Sequence, residues 1–593
     1  MFLTGSQDQV NQAASLFGVL YWPEDGAITH TSRTVLIGRD GRLLAIVEGS
    51  AFRTINLYNW YNITWSKRMK LPLTCLLASA LFAADAPNKS PDLCVPPPGA
   101  VAPSLPAKLL KGQGQVKFSI TTKSPEAQKF FEQGVAQMHS FWAREAERSF
   151  LQAAQLDPEA PMPWWGVAMV ATGDYRPRFQ LDGDNRSQSE KSRALTAARK
   201  AQELAAVPGK ATDLEKLYIV AIAERRQPGR KDPDKPFVRA LRQLLDKYPS
   251  EVEARTYLAL SIMRGFTLPD KKPRNATSTE AVAILRDLIK TNPDHPGVHH
   301  YVIHGWEGST FAADAWPSCK RYAELVDNIP HALHMPGHIY SQTAKWNEAI
   351  ESFESAAQNE RSYMKADSLY GNQHHGHNVH YLATVYAFSG QFDKAVQASR
   401  GLMGMKENPR EQKQLDNVRT AYTQGWYGLL RTLAQFEKWD AILDGTTVPE
   451  PSKPLQKAWY HWARAIAFAH KADATSARAE AAKFALVAKP LKRDDLKVGH
   501  AEIEGQIAIA LGKSEKGLQK LAKASISERR LRYFEPPLYP RPVAESLGHH
   551  AAKLGKREIA EKAFRAALEQ FPGDFHAETG LRALGKTATE AGL

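Results

Sequence analysis

The chain has 593 residues, long enough for several domains or for one long repeat array. Apolar residues make up 43% of it, an ordinary share for a globular chain. The formal charge is +14, from 77 Lys and Arg against 63 Asp and Glu, but the basic residues are dispersed and no nucleic-acid-binding signature accompanies them, so a nucleic-acid partner is not expected.

The first element in chain order is residues 1–68. It contains an FGV…PEDG lead, the segment ITHTSRT, and VLIGRDGRL, which reads as a hairpin with Asp40-Gly41 at its turn. These features resemble the last part of the SCO/SenC copper chaperones, and that resemblance implies a short α/β fragment of a thioredoxin-like fold. His30 matches the family's histidine copper ligand. The family's C-x-x-x-C is missing, because Cys75 is the first cysteine of the chain. The segment is therefore read as truncated, and it is too short for a core of its own.

Residues 69–86, MKLPLTCLLASALFAADA, read as a signal peptide. Lys70 forms the basic region, Leu71 to Phe82 the apolar run, and Ala84 and Ala86 the cleavage signal. The run is too short to span a bilayer. The expected location is exported, periplasmic or extracellular, with no membrane span. Residues 87–124 read as a Pro-rich linker containing Cys94.

From about residue 125 a helical pattern recurs. Gly134, Ala146, Phe150, Ala153 and Pro158 have counterparts in Gly337, Ala349, Phe353 and Ala356, and again in Gly548, Ala560, Phe564, Ala567 and Pro572. A weaker copy uses Ala383, Tyr386 and Ala395, and degenerate pairs lie around 426–442, 459–481 and 501–522. The small residues let two helices approach, and the aromatics fill the seam with the next hairpin. This pattern resembles the tetratricopeptide repeat, a helix-turn-helix of roughly 34 residues. The implied fold is an all-α superhelix, an α-solenoid, over residues 125–590. Its concave groove would hold a peptide or protein partner.

Three stretches in this array concentrate histidine: HHYVIHGWE (299–307), HALHMPGHIY (331–340) and HHGHNVHYL (374–382). Placed on the repeat template, His331, His334 and His338 face the groove from one repeat, and His377 and His380 from the next. His300, His304 and Glu307 do so from the repeat before. His300 and His304 are four apart and His304 and Glu307 three apart, so they share a helix face. Pro336 suits the first turn of a helix, and Asn378 is a candidate partner behind the histidines. The motifs together resemble a group of His-rich, mostly bacterial tetratricopeptide-repeat proteins of undefined activity.

Two readings of the histidines stay open here. They are hydrogen-bonded core residues beside a partner-binding groove, or they hold one or two transition-metal ions (copper, zinc or iron). In the second reading Glu307 and Tyr340 are candidate proton-transfer groups. His299, His374 and His375 are expected to stand aside. No C-x-x-C, H-E-x-x-H, phosphate-binding or dinucleotide-binding motif is present. The segment YFEPPLYPRP (533–542) is read as a rigid connector before the last repeat, or as a loop over the groove mouth.

Overall fold

The computed structural model describes residues 106–171, 188–230, 232–263, 276–366, 373–406, 420–531 and 533–585, with short strands at 21–24, 27–30, 33–37, 43–48, 266–267 and 272–273. The signal-like segment and most of the Pro-rich stretch lie outside these residues. The chain divides into Met1–Pro106 and Ala107–Leu593. In the first unit Tyr21–Glu24 pairs antiparallel with Ala27–His30, and Arg33–Ile37 with Leu43–Glu48, the second pair flanking the expected Asp40-Gly41 turn.

The second unit is a helical array of consecutive hairpins, with one short antiparallel pair, Phe266–Thr267 and Lys272–Pro273, between its helices. Among them are Pro125–His139 with Ala143–Leu156, Pro330–Gln342 with Trp346–Ala366, Gln373–Phe388 with Phe392–Met403, and Val543–Lys553 with Arg557–Gln570. The small-aromatic pattern is what seats them. A Cβ added at Gly134 would lie 2.6 Å from the Phe150 ring, and one at Gly166, in the following helix, 2.4 Å from the same ring. Gly337 meets Phe353 at 2.6 Å, while Gly548 and Gly580 meet Phe564 at 2.5 and 2.3 Å. One aromatic thus fills the space between its own hairpin and the next. Any side chain at these glycines would overpack the seam.

The hairpin turns share a second feature. Phe141, Ala344, Gly390, Ala472, Gly512 and Gly555 all have positive φ. That geometry reverses the chain after the first helix, and glycine adopts it without cost. At Phe141, with φ 55°, a bulky residue holds it instead, which is uncommon and strained.

Two expectations need adjustment. Residues 107–124, the end of the stretch read as linker, belong to the helical unit: Val116 and Phe118 are buried in its core, and Thr121 bonds Glu215 through both its N–H and its hydroxyl. Pro336 is not in a first turn. The helix begins at Pro330, so Pro336 lies inside it, where a proline removes one intrahelical hydrogen bond. Met138, Met162 and Met169 are buried core residues. Cys319 is buried as a free thiol that burial pushes up, and Cys94 lies outside the described residues.

Candidate metal centre

Three helices carry the histidines: Pro296–Trp306, Pro330–Gln342 and Gln373–Phe388. Pro296 and Pro330 each occupy a first turn, where the missing N–H is not needed. The four-residue spacing then sets His300 beside His304 and His334 beside His338, with ring centroids 4.7 and 4.4 Å apart and the rings tilted or edge-on to each other. Glu307 is the first residue past its helix, yet its carboxylate still reaches back to His304 Nδ1 at 2.8 Å.

Two groups of three histidines form. Donor atoms of His300, His304 and His331 all lie within 4.8 Å of one another, and so do those of His334, His338 and His377. His331 and His334 join the groups, with ring centroids 6.0 Å apart. The Glu307 carboxylate spans them, with Oε1 on His304 Nδ1 and Oε2 on His338 Nδ1 at 3.3 Å. His300, His304, His334 and His338 are buried, and His331 and His377 half-buried.

Hydrogen bonds decide which ring nitrogen carries a lone pair. His300 Nδ1 faces the carbonyl of His139 at 2.5 Å, an acceptor only, so Nδ1 carries the hydrogen and Nε2 the lone pair. His304 Nδ1 donates to Glu307 in the same way. The His331 ring is set through a relay. Glu360 accepts from His374 Nδ1 at 2.6 Å, which leaves a lone pair on His374 Nε2. That atom lies 3.1 Å from His331 Nδ1, which therefore donates, and the His331 lone pair is on Nε2. All three rings in the first group present Nε2 as the potential ligand. Each of the other nitrogens is anchored on a carbonyl, a carboxylate or a carboxylate-bound histidine, as metal-bound histidines are.

The electrostatics agree. Burial, reinforced by neighbouring imidazoles, holds His331 and His334 well below the ordinary histidine range, and burial takes His377 down to about 3. These rings are neutral at pH 7. His338 is the exception. Burial opposes its charge, but Glu535 and Glu307 overcome this and lift it to about 9. Burial alone would raise Glu360, yet His374 and His375 outweigh it and hold the carboxyl low.

The walls are aromatic. The strained Phe141 places its ring 4.4 Å from His300, 5.2 Å from His304 and 5.5 Å from His331. Tyr322 stacks on His300 at 5.0 Å, and Tyr381 lies 5.2 Å from His338. The segment 533–542 reaches the site. Glu535 Oε1 is 3.0 Å from His338 Nδ1, and the Tyr533 hydroxyl accepts from Gln342 at 2.6 Å.

Not every residue picked from the sequence joins these groups. His380 is buried but turned to Gln424, with Nδ1 at 2.5 Å from its amide oxygen, and burial takes it to about 3. Tyr340 is half-buried between two core clusters, and burial, with the nearby acidic groups adding to it, pushes it up to about 12. His299 bonds Ser318 and the Pro293 carbonyl, a structural role. His374, expected to stand aside, is part of the relay. Glu360, Glu535, Phe141 and Tyr381 went unselected. Only Glu535 had a signal, as a member of the segment 533–542.

A third group, His139, Glu253 and His295, also has donor atoms within 4.8 Å. Here every ring nitrogen is already engaged. His139 bonds Tyr301 and Glu253, and His295 bonds Glu253 and accepts from the Val298 N–H at its helix start. This is a satisfied polar network.

No protein-family model matches the chain, and no curated protein matches it. Among solved structures, the crystal structure of yeast Tom70 is similar at 12% identity, covering 78% of this chain and 89% of that one, with a TM-score of 0.25. At that score the likeness carries no weight, and the fold rests on the hairpins described above. Among the described residues no helix is long and apolar enough to cross a membrane.

Proposed function

We propose that this protein is a transition-metal protein, with an ion held by Nε2 of His300, His304 and His331. The observation that supports this reading is the gathering of one donor atom from each of the three rings within 4.8 Å, while Nδ1 of each ring is held by a separate hydrogen-bond partner. A tetrahedral ion with bonds of about 2.0–2.1 Å holds donors roughly 3.4 Å apart, against the 4.8 Å within which these atoms lie. Imidazole nitrogen suits zinc, copper and iron. Three protein ligands leave a position for water or a small substrate, and an ion there would supply Lewis acidity and lower the pKa of bound water.

The residues of the chain do the rest. Glu307 and His139 orient two ligands, and the Glu360–His374 pair orients the third. Phe141 and Tyr322 limit water around the rings. The chemistry would be hydrolytic or oxygen-dependent at the open position. The alternative role, a peptide partner gripping these histidines in a groove, fits less well, because His300, His304, His334 and His338 are buried. A partner would instead use exposed faces of the array. The signal-like segment Met69–Ala86 supports an exported setting, which N-terminal sequencing of secreted protein would check.

The test is elemental analysis of the purified full chain after exhaustive dialysis. At least one transition-metal ion per chain is expected. Absence of bound metal, together with failure of the metal-stripped chain to take up zinc, copper or iron, would overturn the reading.

A further inference from the structure

We infer that the chain holds a second metal site, made by His334, His338 and His377, so that the centre is binuclear. The inference rests on the proposed first site for its context but on different residues for its argument.

The first support is a fixed donor. Asn378 gives its amide N–H to the Phe353 carbonyl at 2.8 Å, which sets the orientation of the amide. Its oxygen is then the atom 2.7 Å from His334 Nδ1, so that nitrogen donates and the His334 lone pair is on Nε2. That lone pair faces His338 Nε2 at 2.6 Å. Two imidazole nitrogens so close share either a hydrogen or a metal ion. The opposite edge of His338 is anchored on carboxylates, Glu535 at 3.0 Å and Glu307 at 3.3 Å. This matches the backing of the first group. His377 completes the triad, its ring centroid 5.0 Å from His334 and 6.2 Å from His338.

The two triads are coupled by construction. Glu307 backs a ligand of each, and His331 and His334 are neighbours on one helix. The donor set of the second site is again three imidazoles, so it takes the same class of ion, a borderline divalent metal such as Zn(II) or Cu(II). Its outer carboxylate Glu535 comes from the 533–542 segment, distant in sequence. That gives the segment a specific task, holding a histidine of the second site.

The experiment is a zinc titration of the metal-stripped full chain against a chromophoric chelator, with far-UV circular dichroism as a folding control. Two zinc ions per chain are expected for the wild type. One is expected for His377→Ala and one for His304→Ala. Glu535→Gln should keep both ions but weaken one by about 10–100-fold, as loss of an outer partner does. This variant leaves all six histidines in place and guards against a folding defect. A wild type that binds one ion, unchanged in His377→Ala and lost in His304→Ala, overturns the second site and leaves the first standing. A wild type that binds one ion, lost in His377→Ala and kept in His304→Ala, overturns the first site instead. A wild type that binds none overturns both.

Discussion

Two histidine groups meet on the same short helix and behave differently. His295 starts Pro296–Trp306 and joins His139 and Glu253, while His300 and His304 lie within it and join His331. Both groups have donors within 4.8 Å of one another. In the His295 group the four ring nitrogens are occupied by Tyr301, Val298 and the two oxygens of Glu253. In the His300 group, Nδ1 of each ring is spent on an outer partner, and one donor atom from each ring lies within 4.8 Å of the others. Proximity alone therefore does not make a metal site. The assignment of the ring hydrogens separates a network whose nitrogens bond one another's neighbours within the protein from the one proposed to hold an ion.

The comparison breaks most sharply under single replacements on either side. His331→Ala should remove a stoichiometric ion from the first triad, while His295→Ala should leave the metal content at the wild-type value. Elemental analysis of both variants after dialysis reads the difference. Equal metal loss in the two variants would show that the distinction between the groups is wrong.

Next in size is a stability effect that should fall on the other group. Glu253 is buried, and although burial favours its neutral form, His139 and His295 outweigh this and hold it well below the carboxylate range. Glu253→Ala leaves two buried histidines without their shared acceptor. Breaking a buried pair in this way costs about 3–5 kcal/mol. The denaturant midpoint should drop accordingly, with metal stoichiometry unchanged in the folded fraction.

The difference between the groups also marks what sequence can reveal. Repetition made the fold legible: Gly134, Gly337 and Gly548 sit at matching positions, and each meets the aromatic that the pattern pairs with it. The helical spacing made His300, His304, His334, His338 and His377 legible too, because residues three or four apart share a face whatever the tertiary context. His380 obeys the same spacing but is turned to Gln424, since the neighbouring helix offers a hydrogen-bond partner there. Glu360 and Glu253 were invisible, because a single acidic residue in a helix has no periodic signature until the chain folds it against a histidine. Pro336 misled because proline favours first turns, and here it is tolerated inside a helix that Pro330 begins.

A finer test reaches the site without touching a ligand. Glu360 accepts from both His374 and His375. Glu360→Gln keeps one acceptor oxygen and substitutes an NH2 for the other. If that NH2 faces His374, the ring must turn its lone pair toward Nδ1 and its hydrogen toward Nε2. His331 then accepts at Nδ1 and carries its own hydrogen on Nε2, where a ligand lone pair is needed. Metal affinity should fall by about 10–100-fold, or about 1.4–2.7 kcal/mol, with little change in the rest of the fold. Competition with a chelator measures it, and an unchanged affinity would remove the relay from the account.

The smallest effect belongs to the metal-free protein alone, and it separates the groups by the sign of their pH dependence. His338 is lifted in the folded state to about 9 by its two carboxylates against the opposing effect of burial. Its contribution to stability is fully present below its unfolded value of roughly 6.5 and is lost as pH rises through about 9, because the folded state binds the extra proton in that window. Glu253, depressed in the folded state, acts in the opposite direction. Its contribution is present above the unfolded carboxylate value and is lost only as the solution becomes acidic. Burial lifts Glu528 to about 8, so it too weakens the protein as pH rises and prevents a simple reading of the wild-type curve. The informative quantity is a difference. Urea midpoints measured in chelator from pH 6 to pH 9.5 should fall less steeply for His338→Gln than for the wild type. Glu253→Gln should keep the wild-type slope over that range. With zinc bound, the slope due to His338 should vanish, since the ion takes the place of the proton between His334 and His338. A slope unchanged by either His338→Gln or zinc would mean that the short contact between the two rings holds neither.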